Sequence, residues 1–342
     1  MWTPVNVNNL YLPAGWINWE TVLNLPYTFI VAVGGRGGGK TYGSLLWALQ
    51  HRVRIFYIRR TQKQLKMVMK EKFQPYKKIN IDNGRNISPK TDGDDLGSFI
   101  DQDTHDIVGY MAALSTISNI RGFDGSDVGM MIFDEFIPEP SERIMFNQAE
   151  AIYNAHETIN RNRELEGKDP VRLLMLSNAN SIYGDIISGL RIGSLLYEMQ
   201  KNRVELMGDK DRGLLVFLPQ APEFREMKSK TALYKLTAGS SFADMALENH
   251  FMIQDERQIK KKPVREYRPL AEINDVVIYR HKSRSEFYVT TEKTGGVNHY
   301  DMNKTDIKRF IRDHSSVAFA DQKKRVFFKD LDCQARFYQI YS

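Results

Sequence analysis

The chain has 342 residues, 42% hydrophobic and 26% charged, an ordinary globular balance with length enough for two domains. Its net charge of +6 lies entirely in residues 230–342, which hold 21 Lys+Arg against 15 Asp+Glu. There is no apolar run of roughly eighteen residues, no basic start and apolar core of a signal peptide, and one cysteine, Cys333, which excludes a disulfide framework or a Cys-rich zinc site.

We therefore expect no membrane partner. A single cysteine fits a reducing, intracellular setting, with Cys333 as a small core residue. The basic excess is either a solvated face or a surface that draws in polyanions.

In chain order, residues 27–33 read as a buried strand that ends at glycines. The next stretch, Gly34-Gly35-Arg36-Gly37-Gly38-Gly39-Lys40-Thr41, fits G-x-x-x-x-G-K-[ST], and residues 41–49 read as a helix after it. Glycine backbones adopt φ/ψ values that a side chain forbids, so such a loop can wrap closely around phosphate. Its free N–H groups and the helix N-terminus would face the anion. Lys40 would contact the β- and γ-phosphates of ATP, and the Thr41 hydroxyl would bind Mg²⁺. Arg36, inside the loop, either acts on the phosphates of its own subunit or pairs with a carboxylate.

Residues 54–58 read as a second strand. Residues 80–106, rich in Gly, Asp and Asn, read as turns or a small inserted hairpin. Residues 128–133 form a third strand that ends in Asp134 and Glu135. At a central strand end these acids would sit beside the phosphate loop. Asp134 is placed to hold the Mg²⁺ hydration shell, and Glu135 to orient or deprotonate the attacking water.

Met145, Ala149, Ile152, Ala155 and Ile159 recur at helical spacing, and Arg161 and Arg163 end that helix. An arginine supplied across a subunit boundary can stabilise a transferring phosphoryl group, and Arg121 and Arg161 are candidates. Cations also suit a helix C-terminus for dipole reasons alone. A fourth strand, residues 172–176, closes with Ser177 and Asn178, whose polar groups could bond the water or the γ-phosphate. Buried strands with helices between them imply a parallel α/β sheet, with ligands bound beyond the strand ends. Residues 207–242 look like a linker with one helix. The hairpin-like pieces 275–279, 286–290 and 326–328 imply a small mixed β domain.

This set of motifs resembles the phi29-type phage genome-packaging ATPases, small relatives of the terminase large subunits. The matching pieces are Gly35 to Thr41, Tyr57-Ile58-Arg59-Arg60, Phe133-Asp134-Glu135-Phe136, Arg161-Asn162-Arg163-Glu164 and Leu176-Ser177-Asn178-Ala179. The resemblance implies an α/β fold: a P-loop ATPase domain of the ASCE type (additional strand, catalytic glutamate) with a mostly parallel sheet, over residues 1–206. It further implies a smaller C-terminal α+β domain at 243–342, like an RNase H-type nuclease without its metal-binding acids, so no nuclease activity is expected. Arg161 matches the family's trans-acting arginine, and Arg121 lies where a second basic residue acts across the interface.

The implied activity is ATP hydrolysis that drives double-stranded DNA into a procapsid. The implied assembly is a ring, commonly a pentamer, with active sites shared between subunits. It would work in the host cytoplasm, transiently at the portal vertex. Some relatives dock through a structural RNA, which stands as a further option. Lys260-Lys261-Lys262 and Lys323-Lys324-Arg325 would face DNA, RNA or the portal, or be solvated loops. The competing reading is a RecA-like helicase or other nucleic-acid-dependent P-loop ATPase. No set of helicase motifs follows Ser177 and Asn178, and Glu135 beside Asp134 argues against a small-molecule kinase.

Overall fold

The chain opens with a two-residue strand, β1 (Thr3–Pro4), and a short helix, α1 (Trp19–Leu23). The run Phe-Ile-Val-Ala-Val-Gly then forms β2 (Phe29–Gly34), whose residues Ile30 to Val33 are fully buried, so both faces of the strand are covered. The structure, a computed structural model, describes residues 1–120, 122–139, 147–182, 184–240, 243 and 256–341. Arg121, Met145 and part of the stretch read as a linker lie outside the described residues.

After β2 come α2 (Lys40–Gln50), β3 (Ile55–Arg59) and α3 (Gln62–Val68). Thr61 starts α3 with a reciprocal cap: its hydroxyl accepts from the Gln64 N–H while the Gln64 side chain accepts from the Thr61 N–H. The chain continues through α4 (Lys77–Asn83), β4 (Ile87–Thr91), β5 (Leu96–Asp101), β6 (Ile107–Ala113), β7 (Met130–Asp134), α5 (Gln148–Asn160) and β8 (Arg172–Asn178). Next are α6 (Asp185–Leu190), α7 (Gly193–Asn202), β9 (Leu206–Asp209), β10 (Leu214–Phe217), α8 (Pro222–Ser229) and α9 (Ala232–Leu236).

The strands assemble as one sheet in the order β1-β9-β10-β2-β8-β7-β3-β6-β5-β4. From β10 to β6 every pairing is parallel, as expected from the buried strands and intervening helices. Both edges are antiparallel, so the sheet is mixed. The inserted hairpin expected within 80–106 is β4 and β5, and it extends the main sheet through β6. The sequence pattern does not show β6, because Gly109 interrupts its apolar run ahead of the buried Met111-Ala112-Ala113 end.

The chain divides into two compact units. The first comprises Met1–Ile137, Glu150–Asn180 and Met199–His250, and the second Pro138–Ala149, Ser181–Glu198 and Phe251–Ser342. The linker reading of 207–242 is corrected over its first part, because β9 and β10 are strands of the main sheet. Gly208 is inside β9 because the Tyr27 hydroxyl lies 2.0 Å from where a Cβ would stand, and Gly213 makes the β9–β10 turn at φ +58°.

The second unit carries β11 (Tyr267–Ile273), β12 (Val276–His281), β13 (Phe287–Thr290), β14 (Asn298–Tyr300), α10 (Lys304–Asp313), α11 (Ser315–Gln322), β15 (Val326–Phe328) and α12 (Leu331–Ile340). Its sheet runs β14-β11-β12-β13-β15, with β11 to β13 antiparallel and the two outer strands parallel to their neighbours. It is α+β as expected, with more helix than the sequence pieces implied. Phe310 from α10 and Phe337 from α12 complete its core, where Cys333 is also buried. The Arg336 guanidinium donates to the Ser188 carbonyl at 2.9 Å, tying α12 to α6.

In the first unit, Phe99 of β5 is fully buried and meets Tyr76 edge-on with centroids 4.9 Å apart. Phe99→Ala should remove about 3–5 kcal/mol of stability. A urea midpoint equal to that of the wild type would contradict this packing.

Candidate functional site

Parallel pairing sets Gly34 of β2 opposite Asn178 of β8, and Leu176 of β8 opposite Asp134 of β7. Three strands thus end together at one edge of the sheet. The glycine loop leaves β2 there and feeds α2 directly. β8 lies between β2 and β7, so the loop strand and the acidic strand are separated by one additional strand.

The loop's glycines have different reasons. Gly37 and Gly39 hold φ of +84° and +81°, the left-handed region that side chains avoid. At Gly39 an added Cβ would also stand 3.1 Å from a Trp16 ring carbon. Trp19 further fixes the loop by donating its indole N–H to the Gly39 carbonyl at 3.1 Å.

Lys40 is buried, and its ammonium donates to the Gly34 carbonyl at 3.0 Å, the Gly35 carbonyl at 2.7 Å and Asn178 Oδ1 at 3.2 Å. An ammonium has three protons, so all are engaged. Burial pulls its pKa down to about 8, against the opposing pull of Asp134. Thr41 Oγ1 donates to the Asp134 carboxylate at 3.0 Å, and the Tyr57 hydroxyl donates to Asp134 Oδ2 at 2.7 Å. Burial, then the neighbouring Asp134 charge, raises the Tyr57 pKa well above its ordinary value, so Tyr57 stays a donor.

Glu135 has φ +55°, an uncommon left-handed value, which turns the chain directly after β7. Its carboxylate is paired with the Arg59 guanidinium, which also lies 3.5 Å from Asp134. Burial alone would lower the Arg59 pKa, but Tyr57, Glu135 and Asp134 outweigh it and raise it. Tyr57 and Arg59 were legible only as part of a matching motif. Their position at the end of β3, next to β7, is what gives them contact with the acids.

Of the two polar residues at the end of β8, Asn178 reaches Lys40. Ser177 is buried, and its Oγ accepts from the Ile137 N–H at 3.2 Å, bracing the chain just beyond the acids. Arg36 lines a cleft with Gly35, Gly38 and Lys40. Arg161 follows α5 at φ +49°, is exposed, and donates to the Phe123 carbonyl at 2.9 Å, while Arg163 donates to the Ser126 carbonyl at 2.6 Å. Both therefore hold the loop that precedes β7. In the second unit, Lys260 and Lys261 are exposed, and Lys262 lies 3.9 Å over the Phe327 ring. Lys323 lies over Phe319 at 4.3 Å.

A glycine loop joining a buried parallel strand to a helix, with paired acids two strands away, defines a P-loop ATPase fold of the additional-strand class. The chain belongs to the podovirus DNA encapsidation protein (Gp16) family, whose model matches residues 10–273. It is 24% identical over 263 residues to the DNA packaging protein of Bacillus phage phi29, covering 74% of this chain and 69% of that protein. The corresponding protein of Bacillus phage B103 is 25% identical over 257 residues, covering 72% of this chain and 69% of that protein. Among solved structures, the phi28 gp11 DNA packaging motor superposes with a TM-score of 0.63 at 19% identity, covering 94% of this chain and 95% of that chain. The phi29 genome packaging motor assembly superposes with a TM-score of 0.62 at 18% identity, covering 95% and 98%. These superpositions establish a common fold.

Gly39→Ala should cost about 1–2 kcal/mol of stability, because alanine pays for the left-handed backbone and meets Trp16. Chemical denaturation without nucleotide reads this directly. A neutral substitution would mean the loop has another conformation in solution.

Proposed function

We propose that this chain is an ATP-driven motor that moves viral double-stranded DNA into a procapsid. The observation that carries the reading is the convergence of Lys40, Thr41, Asp134 and Asn178 at adjacent strand ends in a member of a DNA encapsidation family. The packaging activity named for its relatives supports extending that role here.

In this reading the glycine loop, Lys40 and Asn178 bind the phosphates of ATP. Lys40 exchanges one of its present acceptors for phosphate oxygen. Thr41 and Asp134 are an all-oxygen pair that suits Mg²⁺, which would neutralise phosphate charge when bound. Tyr57 keeps the Asp134 carboxylate oriented. Glu135 positions the attacking water and takes up its proton. Its pair with Arg59 must open first, because that ion pair occupies the carboxylate that would reach the water.

Arg161 acts on the phosphoryl group of a neighbouring subunit, with Arg121 as a second candidate and Arg36 within the same subunit. Its exposure at the end of α5 supports this. The assembly is a ring, a pentamer by resemblance, at the portal vertex in the host cytoplasm, with a structural RNA as an optional partner. The second unit contributes contacts to DNA phosphates, RNA or portal through its basic residues. Its mixed α+β sheet is compatible with a nuclease-like domain that has no nuclease activity.

Glu135→Gln should retain nucleotide binding and lose ATP turnover by about a hundredfold or more, whereas Lys40→Ala should lose both. Loss of binding in Glu135→Gln would reject the water-activating role. Arg161→Ala should be inactive alone, yet regain part of the activity when mixed with Lys40→Ala subunits, because mixed interfaces restore one intact site. A confirmed ring with no recovery would reject the trans role. Blunt duplex should stimulate turnover without strand separation, and unwinding of a forked duplex would favour the helicase reading.

A further inference from the structure

α8 is set down beside the phosphate loop by its sheet neighbour. It follows β10, which pairs in parallel with β2. Ala221 takes φ +40° and Pro222 starts the helix, so the chain leaves the sheet in a sharp turn. The Phe224 ring then meets Trp16, which itself packs on Gly39, with centroids 4.9 Å apart. It also lies 3.4 Å from where a Cβ on Gly37 would stand.

One helical turn further on, the Lys228 ammonium donates to the carbonyl of Arg36 at the loop. It sits 5.6 Å from the Phe224 ring centroid and 5.0 Å from that of Tyr234 in α9. Among the described residues no carboxylate pairs with it, and two ring faces and one carbonyl leave an ammonium with donors to spare. It lines the same cleft as Gly35, Arg36 and Lys40. Among the described residues, Arg36, Lys40, Arg225 and Lys228 all line that cleft and no carboxylate does, so it concentrates positive charge, which suits a polyphosphate.

We propose that Lys228 is a second phosphate-contacting cation of the nucleotide site, exchanging the Arg36 carbonyl for a phosphate oxygen of a bound nucleoside polyphosphate. The inference rests on the reading of the loop as the ATP site. It gives the helices α8 and α9 a direct dependence on nucleotide: Lys228 is held by the loop carbonyl in one state and by the ligand in the other. Phe224 and Tyr234 keep its stem within reach in both.

The test is titration of the full chain with fluorescently labelled ADP and a labelled non-hydrolysable ATP analogue. Lys228→Met keeps an unbranched stem against Phe224 and Tyr234 and removes the charge. Its affinity should fall about tenfold or more, the scale of a charge-assisted hydrogen bond. Lys228→Arg should recover most of that loss, with the nucleotide-free thermal midpoint unchanged in both variants. Lys40→Ala separates the two readings. If Lys40→Ala binds like the wild type, the loop itself is misread. If Lys40→Ala loses binding while Lys228→Met binds like the wild type, the Lys228 proposal alone is overturned. Equal weakening in Lys228→Met and Lys228→Arg with a lowered thermal midpoint would also overturn it, because packing and not charge would set the effect.

Discussion

The parallel register of β2, β8 and β7 is the constraint on which the site depends. It aligns Gly34 with Asn178 and Leu176 with Asp134, so one loop and two strand ends meet at a single edge. Residues far apart in sequence thereby become hydrogen-bond partners. A one-residue slip of β8 would turn Asn178 to the opposite face and leave Lys40 without its side-chain acceptor.

The polar groups at this edge are satisfied by one another. Lys40 is satisfied by two loop carbonyls and Asn178, Asp134 by Thr41 and Tyr57, and Glu135 by Arg59. Each contact involves a group that the proposed chemistry needs elsewhere. Nucleotide binding is then an exchange of acceptors, with modest net free energy per bond and strong geometric demands. Such an arrangement can report the presence of a ligand to the elements that lose their contacts. Arg59 connects the acids to β3, and Lys228 connects the loop to α8.

Much of this was legible before any coordinates. The glycine loop and the Asp134-Glu135 pair stand out because each combines a rare residue pattern with an apolar strand. The strand assignments around them follow from unbroken apolar runs, which are strong signals. What stayed hidden was whatever depends on pairing partners. Gly208 reads as a breaker until Tyr27 is known to fill the space of its side chain. Arg59 looks like one cation among many until β3 is placed beside β7. Ser177 and Asn178 are equivalent in sequence and diverge only through strand pleat, one toward Ile137 and the other toward Lys40. In the second unit, α10 lies in a lysine-rich and arginine-rich stretch whose charge obscured its buried Ile307 and Phe310.

The central claim is that ATP turnover at this edge moves duplex DNA. Its most direct measurement is protection of DNA from added nuclease in purified procapsids supplied with the chain and ATP. The account predicts that protected duplex accumulates with ATP and not with a non-hydrolysable analogue. Vigorous ATP hydrolysis with no protected DNA, or protection that needs no hydrolysis, would contradict it.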